Sequence, residues 1–279
     1  MLGKLIRYDS KVQIRFLCGV YIVAALLSGL SGIFLGLKRH FPNVMIFGAM
    51  SGLSWAICFL SVLAVFLGTM IYVVLYFRQN LLRDEGYLMH TLPVTNLQLY
   101  GSKLLTGTIF MYLSILVGYF CFGLGNLRFR YPVLDFLKEC GVDGGVFWLA
   151  VLTFLIACPL MLCQFFFSLV LGYTWKMNSA ASVNRDLLSV LSYIIIYMVQ
   201  QAIALVGLFA YFFISFGSPF ASDFIKYITE LADNEAAVQA GMVGYVNGLL
   251  WVSLVSSVLF GAILFILSVY RLNRHLNLE

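Results

Sequence analysis

Charge is what this 279-residue chain has least of: only 10% of its residues are Asp, Glu, Lys or Arg. A soluble domain carries about 25%. Hydrophobic residues make up 62% of the chain, and a soluble globule of this size would leave much of that surface facing water, where it would aggregate. An ordinary soluble enzyme, a disordered chain and a nucleic-acid binder are excluded together. Histidine is scarce, at three residues (His40, His90 and His275), and no HExxH or paired-His spacing occurs. Of the six cysteines, five lie inside apolar runs, and the sixth, Cys140, has no partner in a polar segment. Neither a disulfide scaffold nor a cysteine metal site is expected. The chain also lacks a GxxxxGK[ST] loop, so it has no phosphate cradle for ATP.

What is present is apolar length. Mean hydropathy is +0.97. Six runs contain no charged residue: 16–37, 44–77, 104–127, 146–175, 187–217 and 245–270. Each exceeds or approaches the ~20 residues needed to cross a bilayer as a helix, and helices satisfy their own backbone groups in lipid. The expected fold is an all-α integral membrane protein with six transmembrane helices, read as one permease domain over 1–279. The first run is longer than the core of a signal peptide and is read as a retained helix.

Lys and Arg set the expected orientation. With the amino terminus inside, inner segments hold Lys4, Arg7, Lys11, Arg15, Arg78, Arg83, Lys103, Lys176, Arg185, Arg271 and Arg274. Outer segments hold Lys38, Arg39, Arg128, Arg130, Lys138 and Lys226, which is six against eleven. Both termini are therefore expected in the cytosol. The first 15 residues carry Lys4, Arg7, Lys11 and Arg15 at helical spacing, opposite Leu2, Leu5, Ile6, Val12 and Phe16. That pattern predicts an N-terminal interfacial helix, with Asp9 interrupting its apolar face. Between the last two runs, 218–244 is acidic, and Phe220, Phe224, Ile228 and Leu231 recur at helical spacing. An outer amphipathic helix is expected there.

The inner segment 78–103 is the most structured in its signals. Arg83-Asp84-Glu85 is a charge cluster, and Gly86 suits the end of a helix continuing from the second run. Thr91-Leu92-Pro93 is a break. Thr95 through Gln98 reads as a capping box, with Val94 and Leu99 spaced as a staple. Apolar residues such as Tyr87, Leu88, Met89 and Leu92 in a cytosolic turn point to a docking surface. The second inner segment, 176–186, reads as a plain connector.

The run from Tyr76 to Lys103, with Asp84-Glu85-Gly86-Tyr87-Leu88 and Thr91-Leu92-Pro93-Val94, resembles the first cytoplasmic loop of bacterial type-2 ABC exporter permeases. The start Leu5-Ile6-Arg7-Tyr8-Asp9 and the end Leu276-Asn277-Leu278-Glu279 are similar to such permeases as well. The resemblance implies a multi-pass permease of the bacterial plasma membrane that pairs with a second copy or a homologous permease. It implies a separate ABC ATPase subunit that holds ATP and Mg, and no cofactor in this chain. It implies that the loop couples the two, a role carried here by Arg83, Asp84, Glu85, Gly86, Tyr87, Leu92 and Pro93. Amphipathic cargo (a peptide, lipid or drug) follows from the same likeness, as does contact with membrane lipid.

Inside the runs, Gln164, Gln200, Gln201 and Asn247 are the strong hydrogen-bonding side chains, and Pro159 is placed to kink the fourth. Gln164 and Gln200 are candidates for a substrate path; interhelical hydrogen bonding is the competing reading. GxxxG spacing occurs at Gly32–Gly36, Gly48–Gly52 and Gly244–Gly248. No ionisable residue falls inside a run, which argues for an external energy source rather than ion coupling. Two other functions stay open: a membrane-embedded lipid-modifying enzyme, and a non-transporting sensor or assembly subunit of a transporter complex.

Overall fold

Long uncharged runs with few internal prolines leave the backbone one economical conformation in lipid, and the computed structural model adopts it throughout. It describes residues 2–41, 45–83, 86, 89, 91, 93–126, 144–174, 185–217 and 235–275. Six long helices form, with no strand among the described residues: α1 (Leu2–His40), α2 (Met45–Phe77), α3 (Asn96–Asn126), α4 (Gly144–Thr174), α5 (Arg185–Gly217) and α6 (Glu235–His275). A five-residue π-helix, Arg78–Leu82, continues α2. All six long helices are long and apolar enough to cross a membrane, so the chain has the makings of a multi-pass membrane protein.

The termini of these helices depart from the runs in instructive ways. α1 is unbroken from Leu2, so the basic N-terminal stretch and the first apolar run form one 39-residue helix. At 1.5 Å per residue it is about 58 Å long, nearly twice the ~30 Å hydrocarbon thickness. α4 runs through Pro159 without interruption. α6 begins ten residues before the sixth run, at Glu235. The segment 218–234, where most of the expected outer amphipathic helix falls, lies outside the described residues, as does Cys140.

The chain divides into two compact units. In the first, α1, α2 and α3 pack against one another pairwise. Its interior mixes large apolar side chains such as Phe77, Tyr100 and Met111 with many small hydroxyls. Ser28, Ser31, Ser61, Thr69, Ser102, Thr106 and Ser114 are buried, while Leu26, Leu53 and Leu116 are each more than 60% exposed. Buried hydroxyls and exposed leucines suit lipid, in which apolar side chains gain nothing by hiding and close packing decides the interface. The hydroxyls hold helices together directly: Ser28 and Ser61 share a 2.8 Å hydrogen bond, and Tyr21 and Thr69 one of 3.2 Å. Ala24, Val65 and Cys121 form the apolar centre, one from each helix.

In the second unit α4 packs on both α5 and α6, around Phe167, Ile196 and Leu264. Glycines permit several of its close approaches, among them Gly261 against Leu160. A Cβ on Gly172 would stand 2.7 Å from the backbone N and Cα of Ser189 on α5, closer than real Cβ atoms come. A Cβ on Gly248 would stand 2.8 Å from Cε2 of Tyr211. Of the GxxxG glycines, Gly248 meets a neighbouring helix, whereas Gly52 and Gly244 face open space.

Candidate functional site

The most polar place in the first unit lies where the uncharged runs end. On α1, Asp9, Gln13 and Leu17 are spaced i, i+4, i+8 and form its buried stripe. Asp9, expected to interrupt an apolar face, is 0% exposed. Facing it from the first turns of α3 is Lys103, 2% exposed. Its ammonium donates to Asp9 Oδ1 at 2.5 Å and to Asn80 Oδ1 at 3.2 Å. Tyr76, near the end of α2, donates its hydroxyl to the same Asp9 oxygen at 2.8 Å, and the Lys103 ammonium sits 4.6 Å from the centre of the Tyr76 ring. Lys103 and Tyr76 thus meet at one Asp9 carboxylate oxygen, and Asn80 joins the cluster through Lys103, linking α1, α2, the π-helix and α3.

A buried pair of charges is costly to desolvate and holds only when other donors and acceptors complete it. Tyr76 and Asn80 supply that completion, and the aromatic face adds a cation–π contact. One side of the cluster is incomplete. Asp9 Oδ2 and Gln13 Oε1 are buried with no hydrogen-bond partner among the described residues. One turn above, Phe16 stacks on Tyr72 at 4.4 Å, and Tyr72 on Tyr76 at 6.3 Å, which ties α1 to α2 beside the ion pair.

Asn80 lies in the π-helix, four residues after Tyr76, and both side chains reach the ion pair. Asn80, Leu81 and Leu82 are all buried. Such π-turns are rare and concentrate at functional positions. The helix ends at Leu82, with Arg83 in an extended conformation. This is earlier than the expected stop at Gly86, which does not end a helix but is itself helical, as is Met89; the Gly86 N–H donates to the Arg83 carbonyl at 2.7 Å. Arg83 and Pro93 are exposed and Gly86 is buried. Asp84, Glu85, Tyr87 and Leu92 lie outside the described residues. On the far side of the turn, Thr95 caps α3: its Oγ1 accepts from the Gln98 N–H at 3.4 Å. That half of the capping box was legible from sequence.

Between the N-terminal turns of α1 and the end of this turn lies a cleft of about 390 Å³, lined by Lys4, Leu5, Tyr8, Asp9, Met89, Pro93 and Val94.

In the second unit, Gln164 of α4 donates its amide to the Gln200 carbonyl oxygen on α5. Gln164 is buried and Gln200 half-buried. The two candidate path residues are therefore each other's hydrogen-bond partners across a helix pair. Gln201 is exposed on α5. No group of three or more His, Cys, Asp or Glu side chains able to hold a metal occurs among the described residues.

Sequence reasoning missed Asp9 and Lys103 as a pair. They are 94 positions apart. The available signals were a lone acid on a helix otherwise basic at that end, and a lysine directly before an uncharged run. No protein family, curated protein or solved structure matches this chain.

Proposed function

We infer that this chain is the membrane permease of an ATP-driven exporter, and that the segment 83–95 is where a separate ATPase subunit docks. The observation that carries this reading is the framing of that segment. It begins at a π-turn and ends at a capped helix, and both ends are pinned to α1 through the buried Asp9–Lys103–Asn80–Tyr76 cluster. A push on the turn is thereby shared among three helices rather than absorbed by a slack loop. The likeness of the Tyr76–Lys103 stretch to exporter coupling loops points the same way, and so does the lack of an ATP cradle in the sequence. In this reading Arg83, Asp84, Glu85, Gly86, Tyr87, Leu92 and Pro93 meet the ATPase, and a second permease copy or homologue completes the pathway.

The test is reconstitution. Co-expressed with a candidate ABC ATPase from the same genome, the tagged chain is expected to carry the untagged ATPase through purification. The pair hydrolyses ATP, and the chain alone does not. Hydrolysis by the chain in a preparation shown free of other ATPases sinks the two-component reading.

The orientation is checked separately. In a background with Cys140 replaced by serine, a cysteine at Asp233 is expected to react with a membrane-impermeant thiol reagent added to intact cells. A cysteine at Asn96 is expected to stay unlabelled until the membrane is opened. The reverse pattern would turn the chain over in the membrane and place the 83–95 turn outside, away from any ATP.

A further inference from the structure

The cleft beside Asp9 combines three features that the docking role leaves unused. Its walls are apolar, from Leu5, Tyr8, Met89, Pro93 and Val94. Its volume, about 390 Å³, is in the range of small-molecule sites. Asp9, which lines it, has one carboxylate oxygen taken by Lys103 and Tyr76, while Oδ2 is buried with no donor among the described residues. A buried carboxylate oxygen without a donor is destabilising unless something supplies one. Gln13 Oε1, one turn further along α1, stands in the same condition.

Depth identifies what stands beside the cleft. Asp9 precedes Phe16, where the first uncharged run begins, by seven positions on one continuous helix, about 10 Å along the axis. The hydrocarbon core is ~30 Å thick and the headgroup layers bring the bilayer to ~40–45 Å. The cleft therefore opens at or just beyond headgroup depth.

Charge narrows the class. Asp9 and Lys103 cancel. A bare cation at Oδ2 would leave this buried place with a net positive charge, and an anion would meet the carboxylate. A zwitterion does neither: its ammonium donates to Oδ2 and its phosphate turns toward Lys4, an exposed cation on the rim. The ammonium must carry N–H bonds, since a quaternary choline cannot donate to an orphaned acceptor.

We propose that this cleft binds the headgroup of a phospholipid with a primary amine, phosphatidylethanolamine, with its ammonium on Asp9 Oδ2 and its phosphate toward Lys4. The site shares Pro93 with the proposed ATPase contact but does not rest on the exporter reading, because lipid binding needs no partner chain and is assayed on this chain alone.

The experiment is native mass spectrometry of the delipidated full chain titrated with dioleoyl phosphatidylethanolamine, dioleoyl phosphatidylcholine or dioleoyl phosphatidylglycerol. The expected result is about a tenfold preference for the ethanolamine lipid over the choline lipid, the scale of one hydrogen bond to a charged group. Val94→Trp fills the cleft and is expected to erase that preference. Leu5→Trp, which plugs it from α1, is expected to do the same and serves if the first variant does not fold. Equal binding of ethanolamine and choline lipids would overturn the proposal, because water alone then satisfies Oδ2. So would a preference surviving both tryptophan variants, which would put the lipid elsewhere. Tighter binding of phosphatidylglycerol, sensitive to the same variants, would overturn it too, since the basic rim rather than Asp9 would then select the lipid.

Discussion

Glu85→Lys is expected to leave the chain inserted at its normal level, to strip the ATPase from the purified complex, and to abolish transport. The position lies between the π-turn and capped α3, in a segment expected on the cytosolic side, where Arg83, Asp84 and Glu85 cluster beside apolar residues in the sequence. A charge that meets a complementary partner steers association and fixes register. Reversing it exchanges an attraction for a repulsion, at a cost of several kcal/mol, enough for a loss of a hundredfold or more in affinity. Insertion is unaffected, because the substitution lies outside every uncharged run and adds a cation on the side already rich in them. Glu235→Lys makes the same change at the start of α6, on the predicted outer side, and is expected to leave ATPase binding intact. The measurements are membrane level by immunoblot, ATPase recovery on the tagged permease, and substrate efflux. Wild-type recovery and efflux from a properly inserted Glu85→Lys chain would return the cluster to the status of a solvated surface group.

Lys103→Met is expected to have the largest effect on stability. The methionine fits the space of the lysine stem but removes the ammonium, and Asp9 is then a carboxylate with no counter-charge at 0% exposure. Breaking a buried pair from one side costs about 3–5 kcal/mol. Asn80 loses a donor as well. Replacing both partners is expected to be far milder: Asp9→Leu with Lys103→Met removes the uncompensated charge together with its partner, and such swaps are often near neutral. Reversible unfolding in mixed micelles measures both. A single variant as stable as the double would show that the charges contribute no coupling. If Lys103→Met were within ~0.5 kcal/mol of wild type, the scale of an ordinary surface substitution, the cluster would not hold the three helices together.

The parts of the molecule legible in the sequence were those fixed by local rules. Exclusion of charge over about twenty residues has one structural solution in lipid, so the six helices could be counted before any was seen. The cap at Thr95 was legible for the same reason: the donor that needs it lies three residues away. Gln164 and Gln200 stood out as strong polar groups in apolar surroundings, but their mutual hydrogen bond depends on how α4 and α5 face each other, which no local pattern encodes. Asp9 and Lys103 were hidden for a related reason. Each sits just outside an uncharged run, where a charge normally reads as a solvated anchor, and burial appears only once α1 is seen to continue straight through that boundary. The π-turn escaped because a helical reading assumes one period throughout.

That π-turn sets an angular phase. Residues 78–82 hold one more residue per turn than the α2 helix they extend, so everything after Leu82 leaves α2 at an azimuth that a regular helix would not give. Residues on an α-helix advance by about 100° each. Relaxing the wide turn to α-geometry would therefore swing the chain beyond it by about one such step around the α2 axis, while α2 itself stayed where it is. The Asn80–Lys103 hydrogen bond fastens that wide turn to α3, so the compass bearing of the chain beyond Leu82 is tied to a second helix.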